Sequence, residues 1–336
     1  MSKARQLADN GAATPNRNLV INGAMNVAQR ATSVTGVGGS TGYFTCDRWL
    51  IANSGEGRAT VTQTADGPVG FANCLKLDCT TADTSIAGGE FLQVVQKIEG
   101  QNLQRIGKGV SGAKEITVSF YVKANAAFNF VCELNDLDNT RQISKLFATT
   151  TGWVKHELTF AADEDDGSSP FDDDNAASLN LTFWLHAGST WSGGTLNTAT
   201  FANTTNANRA AGVSSFFSST DNNFFITGVQ MEVGSSATPF EQEDISTTLQ
   251  KCERYYQQPN GNMFAYRYRA TFIMNEIVLR TQMRATPTFA FTGNGTATSS
   301  WTAYNLTVDK VAAYATVANT DDTNRYISSL TIDAEL

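Results

Sequence analysis

Phe224 to Tyr256, FFITGVQMEVGSSATPFEQEDISTTLQKCERYY, sets a strand, a turn and a helix in succession with no slack between them. Phe225, Thr227, Val229, Met231 and Val233 alternate with Ile226, Gln230 and Glu232, the period of two that a half-buried strand requires. Gly234, Ser235 and Ser236 break that period, and Pro239 lacks the amide a ladder needs, so the sheet ends there. Ile245, Leu249, Cys252 and Tyr256 then recur at helical spacing. The spacing predicts a helix that turns these side chains inward, with Asp244 accepting a hydrogen bond from its first free amides. Leu249, Tyr255 and Tyr256 are therefore expected to be structural.

Upstream, Ala59 to Val233 is written as strands of ordinary length separated by Gly, Asn, Asp and Ser clusters, the pattern of a sandwich or jelly roll. Ile116, Val118, Phe120 and Val122 alternate with Thr117, Ser119, Tyr121 and Lys123. Phe128 to Leu134, Val154 to Phe160 and Leu179 to Leu185 supply three more apolar faces, enough to cover a two-sheet core. Beyond Gln257 the text changes: Tyr266, Arg267, Tyr268, Arg269, Arg280 and Arg284 cluster, and FIMNEIVLR, PTFAFTGN, WTAYNLTVDK and RYISSLTID are strand-like. The expected fold class is mainly β: a jelly-roll β-sandwich over 15–240, a short connecting helix over 241–258 and a small C-terminal β domain over 259–336, with 1–14 as an N-terminal attachment segment. The end domain is small enough to need packing on the helix, the first domain or symmetry mates.

The 336 residues suit two domains, and an apolar share of 41% suits a sizeable core. A formal charge of -8, from 24 Lys plus Arg against 32 Asp plus Glu, gives no basic footprint for nucleic acid. No apolar run approaches the roughly 20 residues of a membrane span, and MSKARQLADNG lacks the apolar core of a secretory signal. Five cysteines, Cys46, Cys74, Cys79, Cys132 and Cys252, show no CxxC pair. They are expected to be reduced, buried and structural.

Three stretches carry a resemblance. PNRNLVINGAMNVAQRATSVTG (Pro15 to Gly36) followed by YFTCDRW (Tyr43 to Trp49) resembles the opening of phage tail-fibre and capsid-associated proteins, through Asn18, Leu19, Asn22, Gly23, Met25, Gln29 and Arg30, then Tyr43, Asp47, Arg48 and Trp49. Ala31 departs from that pattern, where glycine is common. TGVQMEVGSSATPFE with LQKCERYY looks like a junction in virion proteins of marine and cyanobacterial phages, and MRATPTFAF (Met283 to Phe291) resembles the end of phage fibre proteins. FLQVVQKIEG, AKEITVSFYVKA, GWVKHELTF and LNLTFWLHAG are similar to carbohydrate-binding-module jelly rolls. The resemblance implies a virion protein made in the host cytoplasm and released on lysis, a homotrimer whose partners are itself, other virion proteins and a host cell-surface glycan.

Candidate chemistry is sparse. Asp47 and Arg48 admit a site or, more simply, an ion pair that locks a strand start beside core Trp49. Asp163 to Asp166 with Asp172, Asp173 and Asp174 form an acidic loop, so Asp165, Asp172 and Asp174 are candidate Ca²⁺ ligands, although EF-hand spacing is absent and charge runs between strands are usually solvated. Nothing selects two carboxyls held across a cleft for glycan hydrolysis, and GxSxG, HExxH and GxxxxGK[ST] are missing. His156 shares an apolar face. Trp184 and His186 lie opposite Leu181 and Leu185, and with Trp191 and Asn197 they are the candidate glycan residues, an aromatic plate flanked by polar groups. The other reading covers Trp184 with a loop or a subunit. The expected function is a non-catalytic tail-fibre or receptor-binding component without a cofactor. The alternatives are a capsid-attached fibre or decoration protein and a tailspike-type depolymerase.

Overall fold

The computed structural model describes residues 16–164, 169–259, 263–264, 266–269, 272–294, 302–316 and 326–336. They form two compact units, one within Met1–Asn26 and Ala31–Glu243, the other made of Val27–Arg30 and Asp244–Leu336. The expected attachment segment 1–14 lies outside the described residues. The helix expected as a separate connector is part of the second unit, which also takes in four residues from near the start of the chain.

The first unit contains β1 (Ser33–Val37), β2 (Thr41–Tyr43), β3 (Leu50–Asn53), β4 (Arg58–Thr64), β5 (Cys74–Thr81), β6 (Phe91–Glu99), β7 (Ile116–Ala124), β8 (Asn129–Asp136), β9 (Arg141–Ala148), β10 (Val154–Phe160), β11 (Ala177–Ala187), β12 (Ala202–Asn203) and β13 (Asn223–Val233). They build a six-stranded sheet in the order β1-β4-β5-β13-β7-β10 and a seven-stranded sheet in the order β12-β9-β8-β11-β6-β3-β2. Every pairing in both is antiparallel. The sheets enclose one apolar cluster: Leu75 and Leu77, Val118, Phe120 and Val122 from the first, Phe130, Cys132, Leu134, Leu179, Leu181 and Phe183 from the second. The fold is a jelly-roll-like β-sandwich, as the alternation of these strands predicts. Burying each large side chain contributes about 1.5–3 kcal/mol. His156, on edge strand β10, is half-buried against this cluster, its ring 5.5 Å from Phe120 and its Nε2 2.8 Å from the Ala148 carbonyl. All five cysteines are buried thiols outside any disulfide, and burial pushes those of Cys74 and Cys79 up to about 11.

β13 departs from the expected phase. Phe224, Ile226, Val229 and Met231 face the core, whereas Phe225 and Thr227 fall on the opposite face. The register shifts between Thr227 and Gln230, and Gly228 has φ +61°. This bulge adds one residue and changes which face the next side chains occupy. Gly228 also lies against rings: a β-carbon there would sit 2.6 Å from Phe71 and 3.0 Å from Tyr121.

The two motif-bearing stretches of this unit interlock. Leu19 N–H donates to the Met231 carbonyl at 2.8 Å, and Val229 N–H to the Gly23 carbonyl at 3.0 Å. Asn18 Oδ1 accepts from the Met231 and Val20 amides, while its Nδ2 donates to the Val229 carbonyl. On the other side of β13, Gln230 Nε2 donates to Glu232 Oε1, Glu232 accepts from the Thr238 amide and hydroxyl, and Gln230 Oε1 accepts from the Glu241 amide. Glu241 then accepts from the amides of Asn16 and Asn18. Asp47, Arg48 and Trp49 are each 1% exposed. Arg48 has φ +71° and donates from Nη2 to the Lys97 carbonyl, Asn22 Nδ2 donates to the Asp47 carbonyl, and Trp49 Nε1 donates to the Asn22 carbonyl. These residues hold the frame.

In the second unit, α2 (Ile245–Glu253) starts at Asp244, whose carboxylate accepts the Ser246 N–H at 2.9 Å. The Ser246 hydroxyl, and after it that amide bond, hold the Asp244 carboxyl below its usual range. The expected inward face is corrected in part. Thr248, Cys252 and Glu253 are buried and Leu249 is half-buried, but Ile245 is 53% exposed, because the packed stripe runs along one side of the later turns and misses the first. Tyr256 belongs to the short strand β14 (Tyr256–Gln257) that follows. Cys252→Asp places an uncompensated charge at a fully covered site and should cost about 3–5 kcal/mol, whereas Ile245→Asp should stay within about 0.5 kcal/mol. Urea unfolding followed through the second unit checks the contrast, and equal midpoints would refute it.

The unit continues with β15 (Met263–Phe264), β16 (Tyr266–Arg269), β17 (Phe272–Val278), β18 (Thr288–Asn294), β19 (Thr302–Leu306), β20 (Lys310–Thr316) and β21 (Tyr326–Asp333). β21 pairs with β14, β15 and β18, and β16-β17-β20-β19 form a second sheet. Leu279, Met283, Val311, Leu330 and Ile332 make a small core. Gln29 and Arg30 of the opening motif belong here: Gln29 Nε2 donates to the Tyr256 carbonyl, and the Arg30 guanidinium lies 3.6 Å over the Tyr256 ring with Asp333 at 3.0 Å and Glu335 at 3.4 Å. Arg280 pairs with Glu253 at 3.0 Å, and Arg284 Nε donates to the Ala334 carbonyl. The side chains of Tyr266, Arg267, Tyr268 and Arg269 lie outside the described residues.

Candidate functional site

A sandwich has two outer faces, and they differ sharply here. On the seven-stranded sheet Trp184 points away from the core as its alternation predicts, whereas a register shift after it sets His186 opposite core Leu92, its ring 5.4 Å from Phe217; both are 0% exposed, which corrects the expectation that they offer a surface to a sugar. The chain after β11 folds back over them. It starts with the single turn α1 (Ser189–Ser192) and brings Trp191, Leu196, Ala210 and Val213 onto Trp184 and Val131. The physical reason is the pairing beneath. Glu133 of β8 is fully buried and accepts from Trp184 Nε1 at 2.8 Å and from Arg209 Nε and Nη2 at 2.7 and 2.9 Å, so covering the tryptophan also neutralises the carboxylate. The Arg209 guanidinium lies 5.1 Å from the Trp184 ring and 5.6 Å from that of Trp191.

Trp191 is half-buried and donates from Nε1 to the Gly89 carbonyl at 3.0 Å. Asn197 donates from Nδ2 to the carbonyls of Gln142 and Thr200 and accepts the Ser144 N–H on its own carbonyl, so it staples the covering segment to β9. His186 Nδ1 sits 2.9 Å from Ser215 Oγ, and burial holds its imidazole below the usual range against the opposing field of Asp83. Of the four expected glycan residues, Trp184 and Trp191 meet with their rings 5.7 Å apart, while His186 is held by Ser215 and Asn197 by Gln142.

The outer face of the six-stranded sheet is built otherwise. β13, β7 and β10 align Phe225 with Lys123, and Thr227 with Tyr121 and Lys155. Lys123 Nζ lies 4.6 Å from the Phe225 ring and 5.2 Å from that of Trp153, Lys76 Nζ lies 5.3 Å from Phe225, and the Trp153 and Phe225 rings are 6.2 Å apart. Tyr121, Phe71 and Phe240 extend the row of rings. Each lysine is matched by an acid: Lys123 with Asp66 at 2.7 Å, Lys76 with Asp78 at 2.7 Å, Lys155 with Glu157 at 2.6 Å. The result is a face on which Trp153, Tyr121, Phe71 and Phe240 are half-buried around a buried Phe225, beside ion pairs that cancel in charge. Such a surface can stack on an apolar ring face and offer fixed donors and acceptors beside it. Sequence reasoning missed it, because the period of two groups Phe225 with Val229, Met231 and Val233 and Trp153 precedes β10; the signal was the glycine within β13.

The acidic loop is tied down by its own chain. Asp163 is buried, with its two oxygens on Arg141 at 2.9 and 2.8 Å and Lys108 at 3.8 Å; Lys108 also pairs with buried Asp136 at 2.8 Å. Asp172 and Asp174 are exposed; the Asp172 amide donates to Asp138 Oδ2 and Asp174 Oδ1 accepts from the Ala176 amide. Asp165 lies outside the described residues. Among those described, the three acidic or imidazole groups placed to share one ion are Asp83, Glu90 and His186, not members of this loop.

No protein-family model matches the chain, and no curated protein sequence matches it. Solved structures similar to it include the enzymatically active domain of bacteriophage CBA120 tailspike protein 4, with a TM-score of 0.33, 11% identity and coverage of 66% of this chain. The chain spans 22% of the length of that tailspike structure. Two further neighbours are the carbohydrate-binding module TmCBM61 in complex with β-1,4-galactotriose (TM-score 0.32, 9% identity, 65% of this chain and 99% of that one) and a family 11 carbohydrate-binding module from Clostridium thermocellum (TM-score 0.29, 13% identity, 61% and 98%).

Proposed function

We propose that the chain is a non-catalytic structural protein of a phage particle, the receptor-binding part of a tail fibre, which holds a neutral host-surface glycan on the outer face of its six-stranded sheet. The observation that carries this reading is the row Trp153, Lys123, Phe225 and Lys76, with rings accessible at its Trp153 end and every lysine already matched by an acid. The deeply buried carboxylates Glu133, Asp136 and Asp163 are each held by a cation, so they serve as anchors in place of a proton donor. The resemblance of the opening and junction motifs to phage fibres supports the virion setting, and their residues form the frame from which the face is hung.

Trp153→Ala combined with Lys123→Ala should lower retention on host-cell polysaccharide by at least about tenfold, a difference of about 1.4 kcal/mol, while the melting temperature moves little because Trp153 is half-buried outside the strand and the Asp66 side chain left by Lys123 is 51% exposed and stays hydrated. Adsorption to host cells and affinity electrophoresis in the polysaccharide measure it. Unchanged retention removes this face from recognition and leaves a purely structural, capsid-attached role. We also propose a homotrimer; sedimentation at micromolar concentration should give three times the chain mass, and a monomer refutes it for the isolated protein.

A further inference from the structure

We propose that Asp83, Glu90 and His186 bind one divalent transition-metal ion of the zinc class, at the end of the sandwich where the covering segment is anchored. One donor atom from each lies within 4.8 Å of the other two. The topology makes this meeting: β11 pairs with β6 so that His186 stands opposite Leu92, Glu90 immediately precedes β6, and Asp83 lies in the loop that joins β5 to β6.

The atoms left over point to a cation. Asp83 is fixed by its N–H on the Phe217 carbonyl (2.8 Å) and by Oδ1 accepting from Ser85 N–H (3.1 Å), yet its Oδ2 is buried with no hydrogen-bond partner. His186 is fixed through Nδ1 on Ser215 Oγ, yet its Nε2 is equally buried and unpartnered. With the ring proton on Nδ1 donated to Ser215, Nε2 presents a lone pair. Glu90 uses Oε2 to accept the Ala87 N–H at 2.7 Å and remains half-buried, free to turn its other oxygen inward. A ring nitrogen and a carboxylate oxygen that are both electron-rich, both buried and both without donors are compensated by a cation, and buried groups of this kind seldom stay unmatched.

Donor type selects the ion. Ca²⁺ takes six to eight oxygens and has no use for imidazole. One nitrogen with two carboxylates suits a first-row divalent ion, and affinity favours Zn²⁺ over Mn²⁺. Around zinc at about 2.0–2.1 Å, tetrahedral donors stand about 3.4 Å apart, so the group closes inward by about an ångström through Glu90. Gly55 lies beside the group, where a β-carbon would make ordinary contact at 3.5 Å with Asp83 Oδ2 and Glu90 Cδ. Ser215 supplies the outer hydrogen bond that orients a ligating histidine.

Untagged full-length protein, stripped with a chelator and dialysed, should take up one Zn²⁺ per chain by calorimetry. Its melting temperature should rise by about 5 °C at a hundredfold excess over the dissociation constant. Co²⁺ should give visible d–d absorption without a thiolate charge-transfer band, which separates this site from the buried cysteines. Glu90→Gln, at a half-exposed ligand, should leave the metal-free melting temperature within about a degree and weaken Zn²⁺ binding at least tenfold. The proposal is overturned by absence of any Zn²⁺ or Mn²⁺ response, by a response that Glu90→Gln does not change, or by a cobalt spectrum with a thiolate band. None of these outcomes depends on glycan binding.

Discussion

Replacing Glu133 with glutamine should destabilise the first unit by about 3–5 kcal/mol, the usual cost of removing one partner from a buried ion pair. The carboxylate meets three donors, Trp184 Nε1 and two nitrogens of Arg209, with all three bonds between 2.7 and 2.9 Å. An amide of the same shape offers one acceptor and turns its own N–H₂ toward donors. At about 2–4 °C per kcal/mol for a unit of this size, the melting temperature should fall by about 6–20 °C. The covering segment should become the first site of proteolysis. Adding Arg209→Gln should recover part of the loss, because the second change removes the stranded cation. A single variant melting within a degree of the parent would show that the lid is held by apolar contact alone.

Gly23→Ala should be nearly as damaging through pure geometry. A β-carbon at that position would lie 2.0 Å from the Val229 carbonyl oxygen, far inside contact distance, and the obstacle is backbone that cannot rotate away. The chain must retreat from β13, breaking the Val229 N–H bond to the Gly23 carbonyl and loosening the Asn18 clamp next to it. A cost of about 3 kcal/mol or more follows from overpacking at a site that cannot relax. Loss of soluble protein or a sharply lowered denaturant midpoint would show it. Normal stability would mean that the strand can shift without penalty.

The sandwich was legible because β7, β8 and β10 keep their alternation, as does the middle of β11 from Leu179 to Trp184. The Asp244 cap was legible for the same local reason. The phase of β13 was not, since a single glycine bulge inverts it and nothing in periodicity distinguishes a bulge from a regular strand. The burial of Trp184 depends on residues 188–216, a stretch of small and polar side chains with little pattern, whose shape is set by contacts with Glu133 and Gly89 far away in sequence. The same distance hides the ion-binding group, because His186 meets Asp83 and Glu90 only once β11 lies beside β6. Trp153 was overlooked because a residue outside the strand boundary carries no face assignment.

The bonds between the opening motif and β13 have a consequence in time. Asn18 and Met231 are separated by 213 positions, and Asn18 and Glu241 by 223. Closing a loop of that length costs on the order of 5 kcal/mol in chain entropy, and contacts of such range slow folding. At roughly 5–20 residues per second, a ribosome needs some tens of seconds between releasing the first partner and the last. During that interval the inner edge of β7 lacks β13, and Asn18, Leu19 and Gly23 lack the backbone partners that β13 gives them. The nascent chain therefore exposes an open sheet until Glu241 emerges, and crowding, a chaperone or a neighbouring copy acts on it in that window and not after it.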